Sequence, residues 1–260
     1  MKQSVQQTVG TTPVRAWVGG EGAPLVYLHG FEQHPGGAGF LTRLAQGRQV
    51  LAPEHPGFGG TGGFDSLVDI LDLVLHYRDY LEPLVARHGG PVDLVGHSLG
   101  GMFAAEIAAI CPDLVRKLVL VNSYGLWLDD HPQPDPFVIL PAELRAAKWA
   151  NPEAWADKEP NSHDGPAAEF MFYRNQNLGA ASKFMWPIPD RGLSRRLRHV
   201  RAETLIVHGK RDGLLPTAYA HAFAKAIPGS RVVMIDGAGH LPMIEAEDVF
   251  VRTLQEFLQA

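Results

Sequence analysis

Cysteine is nearly missing from this chain: a single one, Cys111, stands among 260 residues. A disulfide within the chain is therefore excluded, and the thiol content does not call for an oxidising compartment. Cys111 ends an apolar helical stretch and precedes Pro112, so it is expected to be a buried helix-end residue without a His or acidic neighbour to activate it. No apolar run approaches the length needed to cross a bilayer, and the polar opening Met1-Lys2-Gln3-Ser4 has no apolar signal core. A soluble, cytoplasmic protein with no membrane partner is the expectation. Positive charge is also short. The 23 Lys and Arg against 28 Asp and Glu give a net charge of -5, which argues against a nucleic-acid partner. The densest basic run, residues 191–201, reads as a solvated helix face. No His/Cys cluster has metal-ligand spacing and no dinucleotide-binding glycine motif occurs, so neither a metal nor a cofactor is expected.

What is present is ordinary globular material, 45% hydrophobic and 20% charged, enough for one large α/β domain. Short, continuous apolar runs occur at residues 24–28, 49–52, 92–95, 118–121, 204–207 and 232–235. Continuous apolar strands are buried on both faces, as in a parallel sheet covered by helices. Residues 5–9 and 14–18 alternate instead, and Gly10-Thr11-Thr12-Pro13 separates them, which predicts an antiparallel pair at a sheet edge. Helical spacing appears at 40–46, 66–87, 98–110, 216–226 and 245–258. Within 66–87 the expected buried stripe is Val68, Leu71, Leu75, Tyr77 and Leu81. The fold class is α/β, a mostly parallel, doubly wound sheet whose ligand site lies beyond the carboxyl ends of its strands.

One interval breaks this alternation. Residues 123–193 contain no clear strand and many prolines, together with Trp127, Trp149, Trp155 and Trp186. So long an insertion with such aromatic content reads as a helical cap, or lid, with short helices at 141–149 and 167–176. The core is then 1–122 and 194–260.

The chemistry starts at Gly96-His97-Ser98-Leu99-Gly100. An apolar strand runs into this turn and an alanine-rich helix leaves it, the context in which Gly-x-Ser-x-Gly presents a nucleophile. The two glycines leave room where a side chain would collide, and the serine hydroxyl stands free above the sheet. A serine needs a base to take its proton, and the base needs a carboxylate to orient it. Among twelve histidines only position discriminates. His240 follows the last strand on a Gly-rich loop, and Asp212 follows the strand before it. The order Ser98, Asp212, His240 is the one expected with a strand-to-helix nucleophile turn. An oxyanion formed at Ser98 needs preorganised donors. The Leu99 N–H is one, and the Phe31 N–H, in the loop His29-Gly30-Phe31, is the other. His29 is expected to bond loop backbone, and His97 to be structural.

These residues, with Pro56-Gly57-Phe58-Gly59, resemble the α/β-hydrolase superfamily over nearly the whole length. The resemblance implies an α/β-hydrolase fold with an inserted helical cap and a serine nucleophile. The superfamily usually has Asp two residues before the Pro of that turn, where this chain has Glu54, read as a structural variation. A serine at the nucleophile position excludes the Asp-nucleophile mechanism of related dehalogenases and epoxide hydrolases.

The expected activity is hydrolysis of carboxylic esters of small or medium size through an acyl-enzyme, with a small-molecule ester as substrate and no nucleic acid. Trp127, Trp186, Leu214 and Leu241 are the expected pocket walls. Two alternatives stay open: hydrolysis of carbon–carbon bonds in aromatic ring-fission products, and a triad-bearing ligand-binding protein with little turnover. Carbon–carbon hydrolases of this kind often carry Asn before the serine, where this chain has His97.

Overall fold

The computed structural model describes residues 3–163 and 165–259. Eight strands form one sheet: β1 Gln3–Val9, β2 Thr12–Gly19, β3 Pro24–Leu28, β4 Gln49–Pro53, β5 Val92–His97, β6 Val115–Val121, β7 Glu203–Gly209 and β8 Arg231–Ile235. Their order is β1-β2-β4-β3-β5-β6-β7-β8. β1 and β2 pair antiparallel through a tight turn at Gly10-Thr11, with Thr12 and Pro13 already in β2, β2 pairs antiparallel with β4, and the remaining pairs are parallel. β3 is buried along its whole length, as its continuous apolar sequence requires, and β5 is buried along its whole length with Asp93 paired to Arg48 and Arg116.

The helices are α1 Gly39–Leu44, α2 Ile70–His88, α3 Leu99–Ile110, α4 Pro141–Lys148, α5 Pro152–Trp155, α6 Ala167–Met185, α7 Leu193–Arg196, α8 Ala218–Ala226, α9 Pro242–Glu245 and α10 Glu247–Gln259. They cover both faces of the sheet with two apolar layers. α3 packs in the layer with Tyr77, Leu81 and Phe223, and α10 packs in the layer with Phe40 and Leu205. Among the described residues, no helix is long and apolar enough to cross a membrane.

α2 corrects the expected stripe. It starts at Ile70 because Asp69 caps it, accepting from the Leu71 and Asp72 amides while Asp72 bonds back to the Asp69 amide. Its buried face is Leu73, Val74, Tyr77, Tyr80, Leu81 and Leu84, leaving Val68, Leu71 and Leu75 exposed. The spacing of 73, 77, 80, 81 and 84 keeps both tyrosines inside, so the helix rolls about its axis away from the expected stripe. Gly89 ends α2 in the left-handed region at φ 79°, its amide bonded to the Val85 carbonyl.

Between β6 and β7, residues 123–193 hold helices and no strand among those described. α6 extends to Met185, well past the expected 176, carried by the buried Ala180, Ala181 and Phe184. The basic run at 191–201 is only partly a solvated face. Arg195 and Arg198 are exposed, whereas Arg196 reaches the buried Glu106 of α3 with two bonds, at 2.6 and 2.5 Å. A buried carboxylate needs such a partner. Cys111 is half-buried rather than buried, at the end of α3.

Candidate active site

Each residue of interest stands just beyond the carboxyl end of a strand: Phe31 after β3, Ser98 after β5, Asn122 after β6, Asp212 after β7 and His240 after β8. Parallel packing alone brings these five loops to one edge.

The turn after β5 is forced. Ser98 has φ 58° and ψ -119°, a strained conformation for a residue with a side chain. The surroundings hold it there. The Ser98 amide donates to the Val121 carbonyl at 2.9 Å, and the Ser98 carbonyl accepts from Gly101, Met102 and Tyr124 amides. A Cβ on Gly96 would lie 2.2 Å from the Gly100 carbonyl oxygen, and one on Gly100 would lie 2.3 Å from that of Leu28. Both positions need glycine because strand, turn and helix backbones touch there.

The hydroxyl is in line with a base and an acid. Ser98 Oγ lies 2.9 Å from His240 Nε2, and His240 Nδ1 lies 2.8 Å from Asp212 Oδ2. Asp212 accepts only hydrogen bonds, so Nδ1 carries the proton and Nε2 is free to accept the serine proton. The remaining capacity of Asp212 is filled. Asn122 Nδ2 donates to Oδ2 at 2.6 Å, and the Leu214 and Leu215 amides donate to Oδ1 at 2.8 and 3.0 Å. Burial pushes the Asp212 carboxyl up. The His240 partner, His208 and the Asn122 amide outweigh it and hold the group below the ordinary carboxylate value.

The loop after β3 lies against the serine. A Cβ on Gly30 would sit 3.4 Å from Ser98 Cβ and 3.1 Å from His97 Nδ1. Among the described residues the N–H groups of Phe31 and Leu99 have no acceptor. His29 donates from Nδ1 to the Gly30 carbonyl at 2.8 Å and accepts the His55 amide at Nε2. Both of its ring nitrogens are thereby bonded to backbone, which ties this loop to the segment at His55. His97 has a larger part than its sequence context promised. Its Nε2–H donates to the His240 carbonyl at 2.8 Å, and its ring lines the Ser98 cavity. Burial pushes His97 down to about 3, so it braces His240 as a neutral ring.

That cavity has about 440 Å³ of empty space, counting its open mouth. Phe31, Phe40, Leu241 and Met243 supply apolar wall, and Glu32, Lys148 and Glu159 supply polar wall. Of the four expected wall residues only Leu241 lines it. Leu214 is fully buried in the Asp212 turn, Trp186 is 54% exposed, and Trp127 lines a neighbouring cavity. The wall comes from the loop after β3, from Phe40 of α1, from the end of α4 and Glu159, and from the segment running from His240 into α9. Among the described residues no group of three His, Cys, Asp or Glu is arranged to hold a metal ion.

The end of α4 is stitched to the loops of the acid and the base. The Ala147 carbonyl accepts the Gly213 amide at 2.9 Å, and the Lys148 carbonyl accepts the His240 amide at 2.7 Å. Lys148 Nζ bonds both oxygens of Glu159, at 2.7 and 2.6 Å, and also Glu32, which Arg174 of α6 holds at 2.9 Å. Burial opposes the Glu32 charge, but Lys148 and Arg174 together bring its carboxyl down to about 2. Glu54 accepts from Arg15, Gly60 and Thr61, and so pins the loop at 56–62 as a buried structural carboxylate.

The model of the alpha/beta hydrolase family matches residues 25–253. The chain belongs to the alpha/beta hydrolase family. This α/β-hydrolase is 29% identical, over 92% of its length and 88% of the relative's, to the 2-hydroxymuconate semialdehyde hydrolase of Pseudomonas putida. It is also 29% identical to the pimeloyl-[acyl-carrier protein] methyl ester esterase of Xanthomonas oryzae pv. oryzae, over 92% of this chain and 96% of the esterase. Its fold matches that of 2-hydroxy-6-oxo-6-phenylhexa-2,4-dienoate hydrolase from Rhodococcus sp. strain RHA1 with a TM-score of 0.79, at 20% identity and 99% coverage of each chain. A semialdehyde hydrolase and a methyl ester esterase thus both stand among the relatives of this α/β-hydrolase, and hydrolysis is what these two share.

Sequence reasoning missed Asn122, Tyr124, Lys148 and Glu32 around this site. Asn122 had one legible signal: it directly follows β6, at a sheet edge where such residues face the ligand side. The others depend on contacts across long sequence separations.

Proposed function

We propose that this protein is a serine hydrolase of carboxylic esters of small or medium size, with residues 123–193 as its cap. One observation carries the reading: the unbroken relay from Ser98 Oγ through His240 to Asp212, at 2.9 and 2.8 Å. Ser98 attacks the ester carbonyl while His240 Nε2 takes its proton. Asp212 holds the imidazole in the productive tautomer and stabilises it once charged. The N–H groups of Phe31 and Leu99 receive the oxyanion. His240 then protonates the departing alcohol, and a water deprotonated by the same ring releases the acid and frees Ser98.

The relative named 2-hydroxymuconate semialdehyde hydrolase supports a second reading, in which the same relay cleaves a carbon–carbon bond of a ring-fission product. Fluorophosphonate labelling followed by hydrolysis of short aryl esters and of dienoic diketones separates the two. Ser98→Ala should lose labelling and about 10⁴-fold or more in kcat. Equal ester turnover by the variant and the natural protein would refute the assignment. A tightly bound small molecule with no turnover of either class would favour a ligand-binding role.

A further inference from the structure

Tyr124 lies just past β6, and its amide donates to the Ser98 carbonyl at 3.1 Å. Its ring packs edge-on against Phe31 and against His240, with centroids 5.9 Å away in each case. The residue is 1% exposed, and its hydroxyl is buried without a hydrogen-bond partner among the described residues. A buried donor left without a partner carries its desolvation penalty uncompensated. Native proteins keep few of them, and phenylalanine would fill the same space without that cost.

Tyr124 lines one cavity and touches, at Phe31, the wall of another. Phe31, which Tyr124 touches, lines the Ser98 cavity. Tyr124 itself lines the neighbouring one with Trp127, Phe137, Met185 and Pro187, about 340 Å³ of mostly apolar space. Burial pushes the phenol well above its ordinary value, so it remains a donor.

Resting on the ester-hydrolase reading, we propose that the Tyr124 hydroxyl binds substrate. It donates a hydrogen bond to a second oxygen, keto or ether, carried on the acyl part a few bonds from the scissile carbonyl. The acyl chain passes Phe31, whose ring turns aside, and its tail enters the cavity beside Trp127. Tyr124 is then a specificity residue that selects oxo- or alkoxyacyl esters over plain alkyl esters of the same shape.

The test uses p-nitrophenyl levulinate and its isostere in which a methylene group replaces the keto oxygen. The ratio of kcat/KM for the two esters is measured in the natural protein and in Tyr124→Phe, so that intrinsic reactivity cancels. The ratio should fall about tenfold in the variant, and the substrate-free variant should unfold at the same or a higher temperature. An unchanged ratio, or a variant that melts lower because the hydroxyl had a structural partner, would overturn the proposal. Binding of the same two esters to Ser98→Ala and to Ser98→Ala/Tyr124→Phe asks the same question without turnover. The hydroxyl is therefore tested even if ester hydrolysis itself fails.

Discussion

Asn122 and His240 hold the same oxygen of Asp212, at 2.6 and 2.8 Å. The carboxylate thus has two donors in fixed directions, and its charge is pinned under the imidazole. Asn122 is itself at φ 42°, a left-handed conformation that Asn tolerates better than most residues. Asn122→Ala removes a charge-assisted bond and adds backbone strain. It should destabilise the fold by about 2 kcal/mol and lower kcat by about tenfold. Urea titration and ester kinetics read the two effects, and an unchanged kcat would show that Asp212 needs no second donor.

The glycines fall into two kinds. Gly100→Ala would drive a Cβ to 2.3 Å from the Leu28 carbonyl oxygen and should cost about 3 kcal/mol or more, with loss of Ser98 labelling. Gly179 is exposed within α6, and a Cβ added there would meet nothing within 4 Å. Gly179→Ala should stabilise by about 0.5–1 kcal/mol. Thermal melts of the two variants should move in opposite directions.

Lys148 is buried between Glu32 and Glu159 while its carbonyl holds His240. Lys148→Met leaves two buried carboxylates without their shared cation, a loss of about 3–5 kcal/mol. Adding Glu159→Gln to that variant should restore part of it, because one stranded charge disappears. The kcat of Lys148→Met should fall more than its KM rises, since Glu32 adjoins Phe31, the proposed oxyanion donor. Simple additivity of the two substitutions would count against the network.

Acid should unfold this protein early. Burial holds His55 and His97 down to about 3 and His76 to about 4, and it holds His29 and His34 well below 6.5. Below pH 6.5 the unfolded chain binds protons that the folded chain refuses, so stability is full above that pH and falls as pH drops toward the folded values. Each such histidine removes up to about 1.4 kcal/mol per pH unit. The urea midpoint should therefore decline steeply between about pH 6.5 and 5. A flat midpoint across that interval would mean that the histidines accept protons in place.

By itself the sequence determined the parallel sheet, because continuous apolar runs such as 118–121 tolerate no wet face. It also determined the turn at Ser98, since glycines at 96 and 100 answer a local steric demand. The placing of Ser98, Asp212 and His240 at one edge followed from strand order. Only the tertiary structure decided the walls and the supports. Trp186 faces solvent and Leu214 gives its amide to Asp212, outcomes set by side-chain direction and not by hydropathy. Lys148 meets Glu32 across 116 positions, and Asn122 meets Asp212 across 90. Contacts over such distances leave no periodic trace, because they arise only when separate loops are packed together.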